Sequence, residues 1–256
     1  MNDFSVSLIQ IGPSASATDG VNRMYELALS IPEPADIMLL PEMWLGGDAA
    51  LDASNRALQA ISEFCGDQGG FAVSGGLPWD GEGQRTIRTW ITDDAGRPFM
   101  FYDKVHLSSK DGENKIYSPG RYARLWNTGE TLCAAISGYD LMFPEFCRQI
   151  SAAGARILFV SAQWDEELFT AWEPVLRAAA FTSQCYVAAC NRTGESDGRR
   201  FCGNSAVVSP WGKIIGRMGT GEGTLKVEFK LSDIERCKKS LPLERDRRGD
   251  VYVTLR

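Results

Sequence analysis

The chain has 256 residues, of which 44% are hydrophobic and 23% are charged, which is the usual composition of a soluble globular protein. This length fits one large domain with a substantial buried core. The formal net charge of -6 argues against a nucleic-acid partner, because such a partner usually needs a basic face.

The predicted elements alternate between strands and helices in the first half of the chain. They are a strand at residues 4–11, a helix capped by Asp19 and running to Leu29, a strand at 35–41, a helix at 51–65, and strands at 71–76, 85–92 and 97–102. Prolines 32 and 34 end the first helix, and the Asp-Ala-Gly sequence at 94–96 supplies a turn.

The second half continues the alternation. Its predicted elements are a strand at 132–136, a helix at 143–153, a strand at 156–161, a helix at 168–183, a strand at 186–191, a closing antiparallel set at 205–209, 213–217 and 224–229, and a helix at 232–239. Helices interleaved with strands need a layered architecture. We therefore predict a single α/β domain over residues 1–256, with 241–256 as a C-terminal tail.

The seven cysteines stand at irregular spacing, and no two form a Cys-x-x-Cys pair. This pattern argues against a structural zinc site, and it predicts buried free thiols in a reducing compartment. No apolar run approaches the roughly 20 residues that a membrane helix requires, and the first residues lack a basic signal region. The sequence therefore predicts a cytoplasmic protein with no membrane contact.

Charged residues follow two predicted strands and occupy the loop after them. Glu42 comes directly after the strand at 35–41, Lys104 follows the strand at 97–102, and Glu113 lies in the next loop. Polar residues at the ends of buried strands face a crevice in α/β proteins. A partly desolvated carboxylate suits a general base, and an ammonium can stabilise an oxyanion. Each residue alone also fits a helix cap or a surface ion pair.

His106 is the only histidine in the chain. Any Ser-His or Cys-His catalytic pair would therefore have to use it. Its apolar neighbours Val105 and Leu107 favour a structural role at a packed strand end.

The segment at 132–145 predicts a sharp elbow from a strand into a helix, with residue 138 at its apex. An elbow of this type normally presents a nucleophile close to backbone amides that favour negative charge. Residue 138 is glycine, which has no side chain and tolerates strained backbone angles. Ser137 is adjacent, but neighbours on a strand point to opposite faces, so we expect it to face away from the site. Cys147 lies about two helical turns further on, too far to replace residue 138.

Four ordered motifs resemble the nitrilase, or carbon–nitrogen hydrolase, superfamily. They are Leu39-Leu40-Pro41-Glu42, the stretch from Tyr102 to Leu107 around Lys104, Glu113 with Ser118-Pro119-Gly120, and Tyr139 to Glu145. The segments Ala162-Gln163-Trp164, 184–194 and 203–205 are similar to the omega-amidase-like group. That group hydrolyses side-chain amides of small 2-oxo dicarboxylic acid monoamides.

The resemblance implies an αββα sandwich, usually paired face to face as a homodimer, and no metal or organic cofactor. It implies a Glu-Lys-Cys site in which Glu42 is the general base, Lys104 stabilises the oxyanion and Glu113 is a second, orienting carboxylate. The cysteine of that site falls on Gly138. Tyr139, Phe143 and Trp164 are the expected substrate-binding residues, for a small amide or carboxylate.

Three further positions depart from the family pattern. Met142 stands where arginine is usual, and Ala179 and Thr182 stand where arginine and glutamate are common. Weak or absent amidase activity is therefore expected, because covalent catalysis needs the missing thiolate. Two alternatives remain: a non-catalytic binder of a small carboxylate or amide, and a working amidase whose cysteine was replaced by engineering. Glu42 activating a water directly is a further possibility for residual activity.

Overall fold

The computed structural model describes residues 3–46, 51–81 and 83–252, and it contains two large sheets. The strands of the first sheet are β1 (Asp3–Gln10), β2 (Ile37–Leu39), β3 (Phe71–Gly81), β4 (Gln84–Thr92), β5 (Pro98–Asp103) and β14 (Gly223–Lys230). Their order is β14-β1-β2-β3-β4-β5. The strands β1, β2 and β3 pair in parallel, whereas the other pairs are antiparallel, so the sheet is mixed.

The strands of the second sheet are β6 (Leu125–Asn127), β7 (Leu132–Ser137), β8 (Ile157–Ala162), β9 (Tyr186–Asn191), β12 (Ala206–Val208) and β13 (Ile214–Arg217). Their order is β13-β12-β9-β8-β7-β6. The strands β7, β8 and β9 pair in parallel at its centre. A separate hairpin joins β10 (Thr193–Ser196) to β11 (Arg199–Cys202).

Helices cover the outer face of each sheet. They are α1 (Ala17–Leu29) and α2 (Leu51–Gln68) on the first sheet, and α3 (Pro144–Ala152) and α4 (Phe169–Ser183) on the second, with α5 (Ser232–Ser240), α6 (Leu243–Asp246) and α7 (Gly249–Tyr252) after the last strand. None of the helices in the described ranges is long and apolar enough to span a membrane.

Side-chain alternation along the strands builds the layers. In β1, Phe4, Val6 and Leu8 pack between the two sheets, whereas Ile9 points to the cluster that includes α1 and α2. In β7, Cys133 and Ala135 face the other sheet, and Ala134 and Ile136 face α3 and α4. Because successive strand residues point to opposite faces, each strand contributes to two cores. The predicted αββα sandwich is confirmed.

Two predicted features of the strands and helices are wrong. The strand at 224–229 does not pair with β13; as β14 it crosses to the first sheet and pairs antiparallel with β1. Its Val227 and Phe229 then pack in the core between the sheets, which explains the crossing. The first helix begins at Ala17 instead of Asp19, because Ser16 is its N-cap and accepts a hydrogen bond from the Asp19 amide.

Candidate active site

Two strand ends and one loop carry the charged residues of the site. Glu42 follows β2 after two further residues, and its amide donates to the carbonyl of Ala162 at the end of β8. Lys104 comes directly after β5, and its amide donates to Ile87 of β4. Glu113 begins a short 3-10 turn whose start, Gly112, has a φ of 74°. Main-chain bonds therefore fix the position of each of these residues.

The side chains of Glu42, Lys104 and Glu113 meet in one buried cluster. The Nζ of Lys104 lies 2.8 Å from Oε1 of Glu42 and 2.8 Å from Oε1 of Glu113. All three residues are buried, with 1%, 3% and 5% of their surfaces exposed. An ammonium between two carboxylates in a low-dielectric environment is held firmly, because each charge has an opposite neighbour.

Gln163 and Ser108 complete the carboxylate contacts. The amide nitrogen Nε2 of Gln163 donates to Oε1 of Glu42 at 2.9 Å and to Oε1 of Glu113 at 3.1 Å. The backbone amide of Ser108 donates to Oε2 of Glu113 at 2.7 Å. These donors orient both carboxylates toward Lys104.

Burial and charge shift the pKa values of Lys104 and Glu113. Burial alone lowers the pKa of Lys104, but the charges of Glu42 and Glu113 outweigh it, so the pKa is raised above its ordinary value. Burial raises the pKa of Glu113, and the neighbouring Glu42 charge acts in the same direction while Lys104 opposes it. Lys104 is therefore a permanent cation at neutral pH.

Gly138 lies beside this cluster at the end of β7, where a five-residue 3-10 helix begins. Its backbone is not in the left-handed region, so the expectation that glycine serves a strained backbone there is wrong. The reason is steric: a Cβ at this position would come within 2.7 Å of the Cβ of Ala162. A larger residue at 138 therefore requires the main chain to move.

Ser137 contradicts its predicted direction. Its hydroxyl Oγ donates a short hydrogen bond to Oε2 of Glu42, so it contacts the site instead of facing away. Alternation along β7 accounts for this contact: Ser137 continues the face of Cys133 and Ala135, which points to the first sheet, and Glu42 comes from that sheet.

A narrow cavity of about 40 Å³ opens above the cluster. Its walls include the charged cluster, Gly138 and the predicted substrate-binding residues Tyr139 and Trp164. Met142, noted in the sequence for replacing arginine, also lines it. The cavity therefore joins most of the predicted site residues.

Phe143 is the exception among the predicted substrate-binding residues, because it is not part of the cavity wall. Its ring stacks on His106 with centroids 3.8 Å apart and meets the edge of Tyr139 at 5.7 Å. Any effect of Phe143 on a bound molecule would therefore pass through Tyr139.

Asp140 organises the turn behind Gly138. Its fully buried carboxylate accepts from the hydroxyl of Tyr102, from the backbone amides of His106 and Ser137, and it lies 2.7 Å from Nδ1 of His106. The histidine is thus held in a structural network, in agreement with the structural role favoured from the sequence.

The mouth of the cavity carries charges of both signs. Nζ of Lys110 lies 2.8 Å from Oδ2 of Asp165, and Arg199 lies 3.2 Å from Asp111 and 3.4 Å from Asp165. Four carboxylates and three cations line the whole cavity. Lys110 and Arg199 are therefore already neutralised by acidic neighbours.

The cysteines do not contribute to this site. All seven are free and buried, as predicted. Cys147 lies in α3 and packs in the core between this helix, α4 and the second sheet, and burial raises the pKa of its thiol to about 12. Within the described ranges, no group of three or more His, Cys, Asp or Glu is arranged to hold a metal ion.

Sequence reasoning missed four contributors to the site: Gln163, Ser137, Asp140 and the charged mouth. Gln163 and Asp140 stand inside motifs that resemble the family, but those motifs assign them no contact. The hairpin that carries Arg199 was also missed, although its Asp197-Gly198 turn is a typical hairpin signal.

Comparison with known proteins identifies the same protein family that the sequence motifs resemble, and the match extends over almost the whole chain. The family model described as "Carbon-nitrogen hydrolase" matches residues 5–239. A 2-oxoglutaramate amidase of Bacillus subtilis is 30% identical over 225 residues, covering 85% of this chain and 87% of the relative. Omega-amidase NIT2-A of Xenopus laevis is 24% identical, with 98% of each chain covered.

Solved structures agree on the fold. A CN-hydrolase superfamily protein of Xanthomonas campestris, solved with an arsenic adduct in its active site, superimposes with a TM-score of 0.87 over 96% of this chain and 98% of that one. Its sequence identity of 22% shows the fold alone. Together with the matching family model, these likenesses establish that the chain belongs to the carbon–nitrogen hydrolase family, with omega-amidases among its relatives.

Proposed function

We propose that this protein binds small amides or carboxylates in the cavity beside Glu42, and that it has lost the cysteine-dependent hydrolysis of its family. One observation carries the proposal: glycine occupies position 138 next to a buried Glu42–Lys104–Glu113 cluster. Glu42 would act as base, Lys104 would stabilise an oxyanion and Glu113 would orient Lys104. Without a thiolate the amidase activity is weak or absent.

The family relationship supports the ligand class. The named relatives include a 2-oxoglutaramate amidase and an omega-amidase, which act on small amides by name. The cavity is small, and four carboxylates outnumber the three cations that line it. A small molecule with a neutral amide group fits this arrangement better than a large or multiply charged one, because Lys104 and the mouth cations are already paired.

The further departures from the family pattern support natural loss of the nucleophile over an engineered replacement. A cysteine at position 138 would place its Cβ 2.7 Å from the Cβ of Ala162. That Cβ is bonded directly to the backbone, so it cannot rotate away. Met142, Ala179 and Thr182 also differ from the family pattern. We therefore expect Gly138→Cys alone to leave turnover low, whereas full recovery of amidase activity would favour the engineered reading.

Binding and turnover are tested together on the full chain. A panel of monoamides of small dicarboxylic acids and the matching carboxylates is titrated in a thermal-shift experiment, and ammonia release is followed in parallel. Saturable stabilisation with little ammonia is expected, and 100 times Kd of ligand should stabilise the fold by about 2.7 kcal/mol. Rapid ammonia release would contradict the loss of hydrolysis, and no stabilisation by any member would contradict binding.

The homodimer and the cytoplasmic location stay predictions; we propose the first on the family resemblance and the second on the pattern of the cysteines. Size-exclusion chromatography with light scattering would test the first, because a monomer at micromolar concentration would contradict it.

A further inference from the structure

We propose that Ser137 is a relocated nucleophile, which carries whatever slow amide hydrolysis this protein retains. The inference rests on the proposed function, because it takes the same small amides as its substrates. It starts from the hydrogen bond that the Ser137 hydroxyl donates to Oε2 of Glu42. A hydroxyl bonded to a carboxylate that is itself oriented by a third group is the usual arrangement of an activated nucleophile.

The neighbouring strand shows that this bond is particular to Ser137. Ser161 stands directly beside it in the parallel register of β7 and β8. Both serines are buried, with 3% and 1% exposed, but the hydroxyl of Ser161 has no hydrogen-bond partner. The same residue type at the same level of the sheet therefore does not contact the base.

Ser137 is also the immediate neighbour of two residues of the site. It precedes Gly138 in the chain and its hydroxyl contacts Glu42, and both of these residues line the cavity. Its backbone amide donates to Oδ2 of Asp140 at 2.8 Å, which holds the end of the strand in place. Ser137 itself is 3% exposed and is not among the residues that line the cavity, so a substrate has to reach its hydroxyl past Gly138, which has no side chain.

The positive charge required by the transition state is present. An ammonium has three hydrogen-bond donors. Within the described ranges, Nζ of Lys104 donates to Glu42 and Glu113, so its third hydrogen is available to a developing oxyanion. A donor aimed at developing charge in a buried site has a larger effect than one in water.

The reaction balances with water as the only co-reactant. Oγ of Ser137 attacks the amide carbon while its proton moves to Glu42, and the carbonyl oxygen becomes an oxyanion beside Lys104. Collapse of this intermediate breaks the C–N bond, and the proton on Glu42 leaves with ammonia. Water then attacks the acyl-serine ester with Glu42 again as base, which releases the carboxylic acid and restores the hydroxyl.

No other nucleophile in the elbow competes with Ser137. Cys147 is buried in the core with its thiol pKa raised to about 12, so it holds almost no thiolate at neutral pH. A water activated by Glu42 remains the alternative, but it would leave no covalent trace on the protein.

The covalent intermediate provides the test. The full-length protein is treated with p-nitrophenyl acetate, release of p-nitrophenol is followed for a burst, and the acetylated residue is located by peptide mass spectrometry. We expect one acetyl group on Ser137, its loss in Ser137→Ala, and normal labelling in the matched control Ser161→Ala. Glu42→Gln should slow acetylation by about 10²–10⁴-fold, the usual range for a general base.

Three results would each overturn the proposal. No acetylation, acetylation confined to other residues, or equal labelling in Ser137→Ala would each exclude Ser137 as nucleophile. A purely positioning role would reduce ammonia release in Ser137→Ala without any acetyl-serine in the unmodified protein, so it too is recognisable. If the unmodified protein still binds amides in the thermal-shift titration, the proposed function survives this failure.

Discussion

Lys104 and Arg192 are two buried cations of this protein with opposite surroundings. Lys104 lies between two carboxylates at 2.8 Å, whereas the side chain of Arg192, a residue only 1% exposed, has two buried nitrogens, Nε and Nη2, without a hydrogen-bond partner in the described ranges. The guanidinium instead lies 4.2 Å from the ring centre of Phe201. Both regions meet at Ala162, whose carbonyl accepts from the amides of Glu42 and Arg192.

The pKa values follow this contrast. The carboxylates raise the pKa of Lys104 in spite of burial, whereas burial lowers the pKa of Arg192 to about 10 because the nearest opposite charges are too distant to compensate. Both groups remain cations at neutral pH. Paired charge therefore stabilises the site, and unpaired charge is an unfavourable contribution that the rest of the fold must outweigh.

Removing the paired cation should have the largest effect. In Lys104→Met the carboxylates of Glu42 and Glu113 are left together without a counter-charge, and we expect a loss of roughly 3–5 kcal/mol in the free energy of unfolding, measured by urea denaturation at pH 7. The exposed Lys115→Met in the same loop is the matched control and should change stability by no more than about 0.5 kcal/mol.

The loss in Lys104→Met should depend on pH. Without the ammonium, the folded pKa values of the two carboxylates lie above those of the unfolded chain. A carboxylate whose pKa is higher in the folded chain than in the unfolded chain favours the fold at low pH, where it is protonated. This contribution to stability is lost as pH rises through the folded pKa. The difference from the unmodified protein should therefore shrink between pH 7 and pH 5, and a difference that grows on acidification would contradict the pairing.

Displacing Ala162, whose carbonyl accepts from the amides of Glu42 and Arg192, should have an intermediate effect on stability. In Gly138→Ala the new Cβ meets the Cβ of Ala162 at 2.7 Å, so we expect a loss of about 1–3 kcal/mol. The double variant Gly138→Ala with Ala162→Gly should recover part of it, since the clash is removed. Gly221→Ala, where a Cβ meets nothing within 4 Å, is the control. A neutral Gly138→Ala would show that residue 138 has room for a nucleophile.

The sequence predicted the surroundings of Lys104 far better than those of Arg192. Glu42 and Lys104 stand at the ends of apolar strands, and parallel strand ends in α/β proteins meet at a crevice. The contact of Ser137 with Glu42 was not predicted, because the strand pattern of β7 does not say which of its two faces lies against the sheet that carries Glu42. The burial of Arg192 also depends on the hairpin β10–β11, whose Phe201 covers it only after the strands pair.

Removing the unpaired cation should have the smallest effect, and the opposite sign. Arg192→Met keeps a long flexible apolar side chain and deletes a buried charge without a partner, so we expect a gain of about 1 kcal/mol in the free energy of unfolding, measured in urea at pH 7. The exposed Arg121→Met is the control and should be neutral. A loss of stability in Arg192→Met would mean that the stacking on Phe201 outweighs the cost of burial. A gain accompanied by unchanged amide binding would show that the cavity depends on the Lys104 cluster alone, because the two cations share only the carbonyl of Ala162.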